Sequence, residues 1–417
     1  MKKKPVRILL IGKTGVGKSS FINYFIGKDV ARTASGYPVT QNMTYYESVI
    51  GDYPIYIYDT KGLETLDVNY QVQSLIDEIK KHNNSENVFE WFHTIFYCIS
   101  MANARFENFE VDFIKALSSE ISQHIHIILT NCDGHENDAK DMHARIRSIF
   151  GNNKFLRIYD VVSIEKKKRN GSIAKQSGKE KIVEGVFELL WEDISRKISL
   201  DYANEFDYSV RRVVHSTFDE IDGFINDVVK LKTLISYFKD ESKTDDMMNE
   251  KLDQMEEQIE QLVQEEDLKY QRIVTPLLEF AASYKGVLLS EVSNYADLDF
   301  ESITSNFIDD SFIDDLIDEE AMISSILPRI GKFVNDDSAM DEMLDEDHIL
   351  KSIFNIGKFL SDTGWDLITL KSNFKKYLNK CRYEVLMKIP SKDEVSDHVY
   401  QKTMTLLGTL NYMIDGY

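Results

Sequence analysis

Two hydrophobic periods divide this chain. Through the first two hundred residues, short apolar runs of strand length alternate with polar, glycine-bearing segments: Val6–Ile11, Pro54–Tyr58, Thr94–Ile99 and Ile125–Leu129. Runs apolar on nearly every position are what strands buried on both faces require, so a mostly parallel sheet flanked by helices is expected. A sixth strand is expected to end at Val161-Val162-Ser163, and Ser20–Ile26 reads as a helix closed by Gly27. From Tyr202 the period changes. Phe206, Val210, Val213, Val214, Phe218, Ile221, Phe224, Ile225 and Val228 recur at steps of three and four, which makes one amphipathic stripe. Asp240–Thr244 is a polar break, after which Met248, Leu252, Met255, Ile259 and Leu262 resume the stripe to about Tyr284, with a bend expected at Pro276. Leu298–Asp347, punctuated by Asp309-Asp310, Asp314-Asp315, Asp318-Glu319-Glu320 and Asp336-Asp337, reads as short helices and loops. Ile349–Leu360, Trp365–Met387 and Asp393–Ile414 read as further helices. The expected organisation is an α/β domain over residues 1–200 and an all-α domain over 201–417, the latter containing a helical hairpin at about 202–285.

The first strand runs into Gly12-Lys13-Thr14-Gly15-Val16-Gly17-Lys18-Ser19, and a helix follows. This is G-x-x-x-x-G-K-[ST] without a mismatch, in the strand–loop–helix setting that the motif needs. The glycines let the backbone curl around a polyphosphate, and the helix end, through Ser20, presents N–H groups and positive potential to it. Lys18 would reach the β- and γ-phosphates, and the Ser19 hydroxyl would bind Mg²⁺.

Asp59-Thr60-Lys61-Gly62 stands at the end of the strand Pro54–Tyr58. There Asp59 can hold Mg²⁺ through a water, and the Gly62 N–H can sense a γ-phosphate. Between the two motifs, Gly36–Thr40 reads as a turn-rich loop whose Thr40 could complete the metal shell, with Arg32 nearby as a residue able to reach the γ-phosphate. The strand Ile125–Leu129 ends in Thr130-Asn131-Cys132-Asp133. A carboxylate at that place accepts two hydrogen bonds from the guanine N1 and N2 donors, and adenine would leave it buried and unpaired. Asn131 stands where a lysine stem normally lies across the base, which implies weaker guanine affinity. Ser163 sits where a last base contact belongs.

These segments resemble the translation-factor-type GTPases, in particular their Era/TrmE/septin-like branch. The likeness includes Gly12–Ile26, Val30-Ala31-Arg32, Tyr37–Thr40, Ile57–Glu64, Ile95–Ile99 and Arg105-Phe106-Glu107, and it covers roughly residues 5–200. It implies a P-loop G domain that hydrolyses GTP to GDP and phosphate with Mg²⁺, slowly when no partner is present. Lys18, Thr40 and Gly62 would be the catalytic residues, with Ser19, Thr40 and Asp59 on the metal. Two departures matter. Gly15 replaces the asparagine that binds potassium in ribosome-assembly members, and Leu63 replaces the water-orienting glutamine of Ras-like enzymes. A GTP-holding switch that scarcely hydrolyses, and a septin- or dynamin-like assembly protein, remain open beside the hydrolase reading.

The net charge of −21 lies almost wholly in the second half: residues 1–200 hold about 27 basic and 25 acidic side chains, and residues 201–417 about 22 and 45. Nucleic acid and anionic lipid are therefore poor partners for that half as a whole, whereas a protein effector or a nucleotide-dependent homodimer suits it. Three scattered cysteines support neither a disulfide framework nor a zinc site. The apolar run behind Met1-Lys2-Lys3-Lys4 is too short for a signal peptide, and no stretch reaches membrane-span length, so a cytoplasmic address is expected.

Overall fold

A computed structural model of the chain describes residues 3–27, 37–40, 43–63, 68–85, 87–151, 156–167, 173–228, 242–292, 298 and 367–415. The expectations for Arg32, for the acidic pairs of 309–337 and for a helix over Ile349–Leu360 lie outside these residues.

A seven-stranded sheet forms the centre. Its strands are β1 (Val6–Gly12), β2 (Tyr37–Thr40), β3 (Met43–Ile50), β4 (Tyr53–Thr60), β5 (Thr94–Ser100), β6 (Ile125–Thr130) and β7 (Leu156–Asp160), in the order β2-β3-β4-β1-β5-β6-β7. β4, β1, β5, β6 and β7 are mutually parallel, and β2 and β3 add an antiparallel edge. Every residue of β5 and β6 is buried, as their unbroken apolar runs require. Four helices belong to this part of the chain: α1 (Lys18–Ile26), α2 (Val68–Asn83), α3 (Asn108–Glu120) and α4 (Glu136–Phe150). A two-stranded ribbon, β8 (Lys166–Lys167) with β9 (Ile173–Ala174), follows β7.

One expectation is corrected. Tyr37–Thr40 is not loop but the edge strand β2, paired antiparallel with β3. Pro38 is compatible with a strand there because an edge strand leaves one side of its backbone outside the ladder.

The later helices are α5 (Lys179–Val228), α6 (Ser242–Tyr284), α7 (Leu367–Lys388) and α8 (Lys392–Asp415). The stripe expected from Tyr202 is buried at Phe206, Val210, Val214, Phe218 and Ile221, and it continues a helix that already began at Lys179. Pro276 sits inside α6. The described residues pack as two compact units that cut across chain order: one from Met1–Asp201, Tyr270–Asp299 and Val399–Tyr417, the other from Tyr202–Lys269 and Phe300–His398.

In the first unit, the end of α6 packs at the start of the parallel strands. The Tyr53 ring stacks on Tyr284 at 4.6 Å and meets Phe187 of α5 at 4.8 Å, while Trp191 abuts Phe280 and Tyr284, each at 5.4 Å. Nearby His93 accepts the Arg7 N–H on Nδ1 at 2.9 Å and donates from Nε2 to the Val88 carbonyl at 2.8 Å. Deeper in the sheet, His126 stacks on Tyr159, and neither of its ring nitrogens has a partner.

Burial pushes the His126 imidazolium down to about 3, so the folded chain keeps this ring neutral where the unfolded chain, with an ordinary histidine, protonates it. The unfolded state then binds the extra proton, and stability falls as pH drops below about 6.5. His126→Leu removes the effect. Its stability relative to the parent should improve by about 2 kcal/mol between pH 7 and pH 4.5, as read from paired urea melts. An unchanged difference would place His126 outside the core.

Candidate functional site

The site forms at the carboxyl ends of the parallel neighbours β4, β1, β5 and β6, the edge at which open α/β sheets take ligands. β1 closes on Gly12, whose φ of +153° and crowding against the Cys98 carbonyl, 2.8 Å from where a Cβ would lie, admit only glycine. Gly17 caps α1 in the left-handed conformation, φ +96°. The first turn of α1 therefore begins at Lys18, and its early N–H groups have no acceptor within the helix. Lys18 folds back along the loop. Its Nζ donates to the Gly12 carbonyl at 2.9 Å and to the Lys13 carbonyl at 3.1 Å, which uses two of its three donors. Ser19 is exposed on the same turn.

Asp59 stands opposite, at the end of β4. One of its carboxylate oxygens, Oδ1, is buried without a hydrogen-bond partner. Burial raises its pKa to about 6, partly opposed by the Lys18 ammonium, and the same burial lowers the pKa of Lys18 against the pull of Asp59. An orphaned carboxylate oxygen and an exposed serine hydroxyl are oxygen donors of the kind a hard divalent cation takes, so these residues fit Mg²⁺.

The segment after Asp59 lies directly on the loop. The Leu63 N–H donates to the Gly12 carbonyl at 3.1 Å, and the Thr14 N–H donates to the Leu63 carbonyl at 3.4 Å. A Cβ on Gly62 would sit 2.4 Å from Thr14 Oγ1 and 2.6 Å from its nitrogen, so this position too is open to glycine alone. The Leu63 side chain turns into the core. Thr40 is placed by backbone only: it pairs with Met43, which pairs across with Thr60, so β2 ends two strands from Asp59.

Thr130, Asn131 and Asp133 follow β6. The Thr130 hydroxyl donates to the Val16 carbonyl at 2.5 Å, tying this turn to the phosphate loop. Asn131 is left-handed, φ +56°, a conformation asparagine tolerates better than lysine does, and its Nδ2 donates to Ser100 Oγ at 3.1 Å. Asp133 is half-buried in the turn before α4. The Cys132 N–H donates to the Val161 carbonyl at 3.2 Å, which joins this turn to the one carrying Ser163. The Ser163 hydroxyl is buried and has no partner. Cys132 itself is inert: it is buried, and burial pushes its thiol up to about 12.

Sequence reasoning missed the support behind Lys13. Its ammonium pairs with Glu107 at 3.1 Å and lies 3.9 Å from buried Glu110. Glu110 in turn accepts from the Tyr97 hydroxyl at 3.1 Å and from the Glu107 N–H at 2.9 Å. The signal was legible as a glutamate three residues into a helix, reaching back to its cap.

Residues 7–132 match the family model described as 50S ribosome-binding GTPase. With that match on this geometry, the assignment is made. Over residues 7–132 the chain carries a P-loop GTPase domain of that family. The tRNA modification GTPase MnmE of Brucella suis is 29% identical to this chain over 79 residues, which are 19% of the present chain and 16% of that protein. The chain thus spans less than a fifth of that relative's length. Two solved structures with similarity to the chain are Toc33 from Arabidopsis thaliana in complex with Mg²⁺ and GMPPNP (18% identity, TM-score 0.33, 45% of this chain and 84% of that one) and Era in complex with MgGDPNP and nucleotides 1506–1542 of 16S ribosomal RNA (15%, 0.33, 48% and 67%). Among the described residues, no helix is long and apolar enough to cross a membrane.

Because the folded pKa of Asp59 lies above its unfolded value of 3.8, its charge costs stability at neutral pH, and the cost fades as pH falls through about 6. Asp59→Asn should therefore stabilise the nucleotide-free chain by about 1–3 kcal/mol at pH 7.5, by about a third of that at pH 4.5 and by almost nothing at pH 3, below the unfolded value, as measured by urea unfolding. Destabilisation at pH 7.5 would mean that the carboxylate is paired.

Proposed function

We propose that the chain binds GTP and GDP through its G domain and hydrolyses GTP to GDP and phosphate with Mg²⁺. The observation that carries this is the buried, partnerless Asp59 oxygen facing a phosphate loop whose lysine keeps a donor in reserve. Backbone N–H groups of Gly12–Ser20 would cradle the phosphates, Lys18 would neutralise charge on the β- and γ-groups, and Ser19, Asp59 and Thr40 would hold the metal. Bound Mg²⁺ supplies charge neutralisation to the phosphate oxygens. Gly62, whose Cα already lies close against Thr14, would offer its N–H to a γ-phosphate oxygen. Asp133 and Ser163 would face the base, and Thr130 and Asn131 would position that edge through Val16 and Ser100. Catalysis of this kind is positioning and electrostatics, with no water-activating side chain assigned among the described residues of the site.

That last point favours a second reading. Leu63, the residue after Gly62, is buried in the core and cannot orient a nucleophile, so a switch that holds GTP and turns it over scarcely at all has a physical basis. In either case the functional division we retain is a G domain at residues 1–200, whose state is communicated to the helical region at 201–417, in a cytoplasmic protein.

GTP should compete at least about tenfold better than ATP for the site, a gap of about 1.4 kcal/mol, and Asp133→Asn should turn the preference toward xanthine nucleotides. Equal affinity for GTP and ATP removes the guanine reading and leaves the phosphate loop standing. Lys18→Ala should abolish binding while the chain stays folded by circular dichroism. Phosphate release at the parent rate by that folded variant would mean that the site lies elsewhere. Thr40→Ala should keep GDP affinity and lose GTP affinity, since only a γ-phosphate draws the β2 end onto the metal. Amide hydrogen exchange compared between GDP and a non-hydrolysable GTP analogue should change beyond residue 201; protection changes confined to 1–200 would leave the helical region a passive anchor.

A further inference from the structure

Against an acidic chain, α7 is a concentrated basic element: Lys371, Lys375, Lys376, Lys380, Arg382 and Lys388 stand with Glu384 as the sole carboxylate. The inner side of α7 is accounted for. Leu378, Val385 and Ile389 are buried, Arg382 pairs with Asp219 of α5 at 2.5 Å, and Lys375 lies 3.6 Å from Asp222. The outer side carries one exposed pair within the helix, Lys380 with Glu384 at 3.3 Å. Lys376, Lys380, Tyr383 and Met387 follow one another at steps of four, three and four, so they fall on one line along the helix. Tyr383 is 61% exposed and Met387 66%.

α6 carries a counterpart. Glu257, Gln261, Gln264 and Leu268 repeat the same four-three-four spacing on its exposed side, flanked by exposed Glu260 and Glu265, and Leu268 is 52% exposed. The two lines match in order, charged at the amino end and apolar at the carboxyl end, with opposite sign.

Their directions match as well. α6 runs antiparallel to α5, because Tyr284 meets Phe187, Phe280 meets Trp191 and Lys269 pairs with Glu205. α7 also runs antiparallel to α5, because Lys375 lies by Asp222, Arg382 by Asp219, and Lys392, just beyond its end, by Asp207. Counted from these contacts at about 1.5 Å per residue, Glu257 lies within about one turn of the level of Lys380. A two-fold axis parallel to the helices keeps both their directions and their levels. It therefore sets α7 of one molecule beside α6 of the other twice over, lysines at the level of glutamates.

We infer that the outer faces of α6 and α7 form a homotypic docking surface, each copy laying its basic α7 line on the acidic α6 line of a second copy. The occupant is a second copy because that partner alone is certain to carry the complementary line. An anionic membrane or nucleic acid would match α7, yet it would repel the surrounding surface of a chain with net charge −21. Two exposed apolar side chains also give little to insert in a lipid interface. The surface lies wholly in the helical region and does not rest on the nucleotide reading.

The test is the molar mass of the full chain, by light scattering on a sizing column without nucleotide, at about 0.05 M and about 0.5 M salt. The parent should dimerise at low salt and dissociate at high salt, since exposed ion pairs are screened. Lys376→Glu/Lys380→Glu and, separately, Glu257→Lys/Glu260→Lys should each raise the dimer Kd at least about tenfold, because every pair becomes like-charged. Melting curves like the parent's would show that both variants fold. An equimolar mixture of the two should recover the dimer, since both contacts of the mixed pair are then complementary. A parent that stays monomeric at low salt, variants that dimerise like the parent, or a mixture that fails to recover would each overturn the proposal. Pelleting of a monomeric parent with vesicles of phosphatidylserine would overturn it in favour of a lipid surface.

Discussion

A carboxylate oxygen buried without a partner is the interaction around which this fold is arranged. Asp59 pays for its place with a raised pKa, and Lys18, the nearest opposite charge, is spent on the carbonyls of Gly12 and Lys13. Nothing in packing calls for this arrangement, since an asparagine or a leucine would suit the end of β4 better. Such a cost persists when a ligand removes it, and a metal with a polyphosphate would satisfy the Asp59 oxygen and the remaining Lys18 donor together. The sheet makes that pairing unavoidable, because β1 and β4 are parallel neighbours in register from Val6 with Ile55 to Leu10 with Asp59.

The same register explains the crowding beside it. Once β1 and β4 end side by side, the two chains that leave them must pass within contact distance, and Gly62 against Thr14 is that passage. The bonds between Leu63 and the loop join the segment that would sense a γ-phosphate to the loop that would hold it. Lys13, held by Glu107, braces the loop from α3, and the Thr130 hydroxyl braces it from β6. The loop is thus held from the end of β4, the start of α3 and the end of β6, which is how a site limits the ordering cost of binding.

The parallel strands were legible because burial on both faces leaves one signal, an apolar residue at nearly every position, and β1, β5 and β6 carry it. The phosphate loop was legible because glycines at Gly12 and Gly17 answer steric demands that no other residue meets. The edge was harder. β3 mixes buried Tyr46 with half-buried Thr44, Tyr45 and Ser48 and exposed Glu47, as a strand near the rim does, and Pro38 makes β2 read as a turn. Asn131 looked in the sequence like a weakened base contact. The structure gives it a backbone reason, a left-handed turn and a bond to Ser100, that spacing alone could not reveal. Nor does the stripe of α5 disclose that Tyr270–Asp299 and Val399–Tyr417 fall in one unit with the sheet, since an amphipathic period says that a face is covered but not by what.

What remains is how a site at one end of the strands could be felt at the other. β3 and β4 form a ladder paired through eight residues, from Met43 with Thr60 at the site to Ile50 with Tyr53 at the far end. A strand near full extension does not shorten, so a displacement imposed at Asp59 is carried along the ladder and not absorbed within it. At the far end Tyr53 stacks on Tyr284 and Phe187, in a cluster that holds Phe280 and Trp191 of the same unit. The Tyr284 hydroxyl in that cluster is buried with no partner, so this arrangement of rings leaves a polar group unsatisfied. Tight packing without full satisfaction is the condition under which two arrangements can lie close in energy. The helices that meet there, α5 and α6, are the ones that continue into the second unit. The hairpin that supplies Asp59 therefore also supplies the aromatic contact on which these two helices rest.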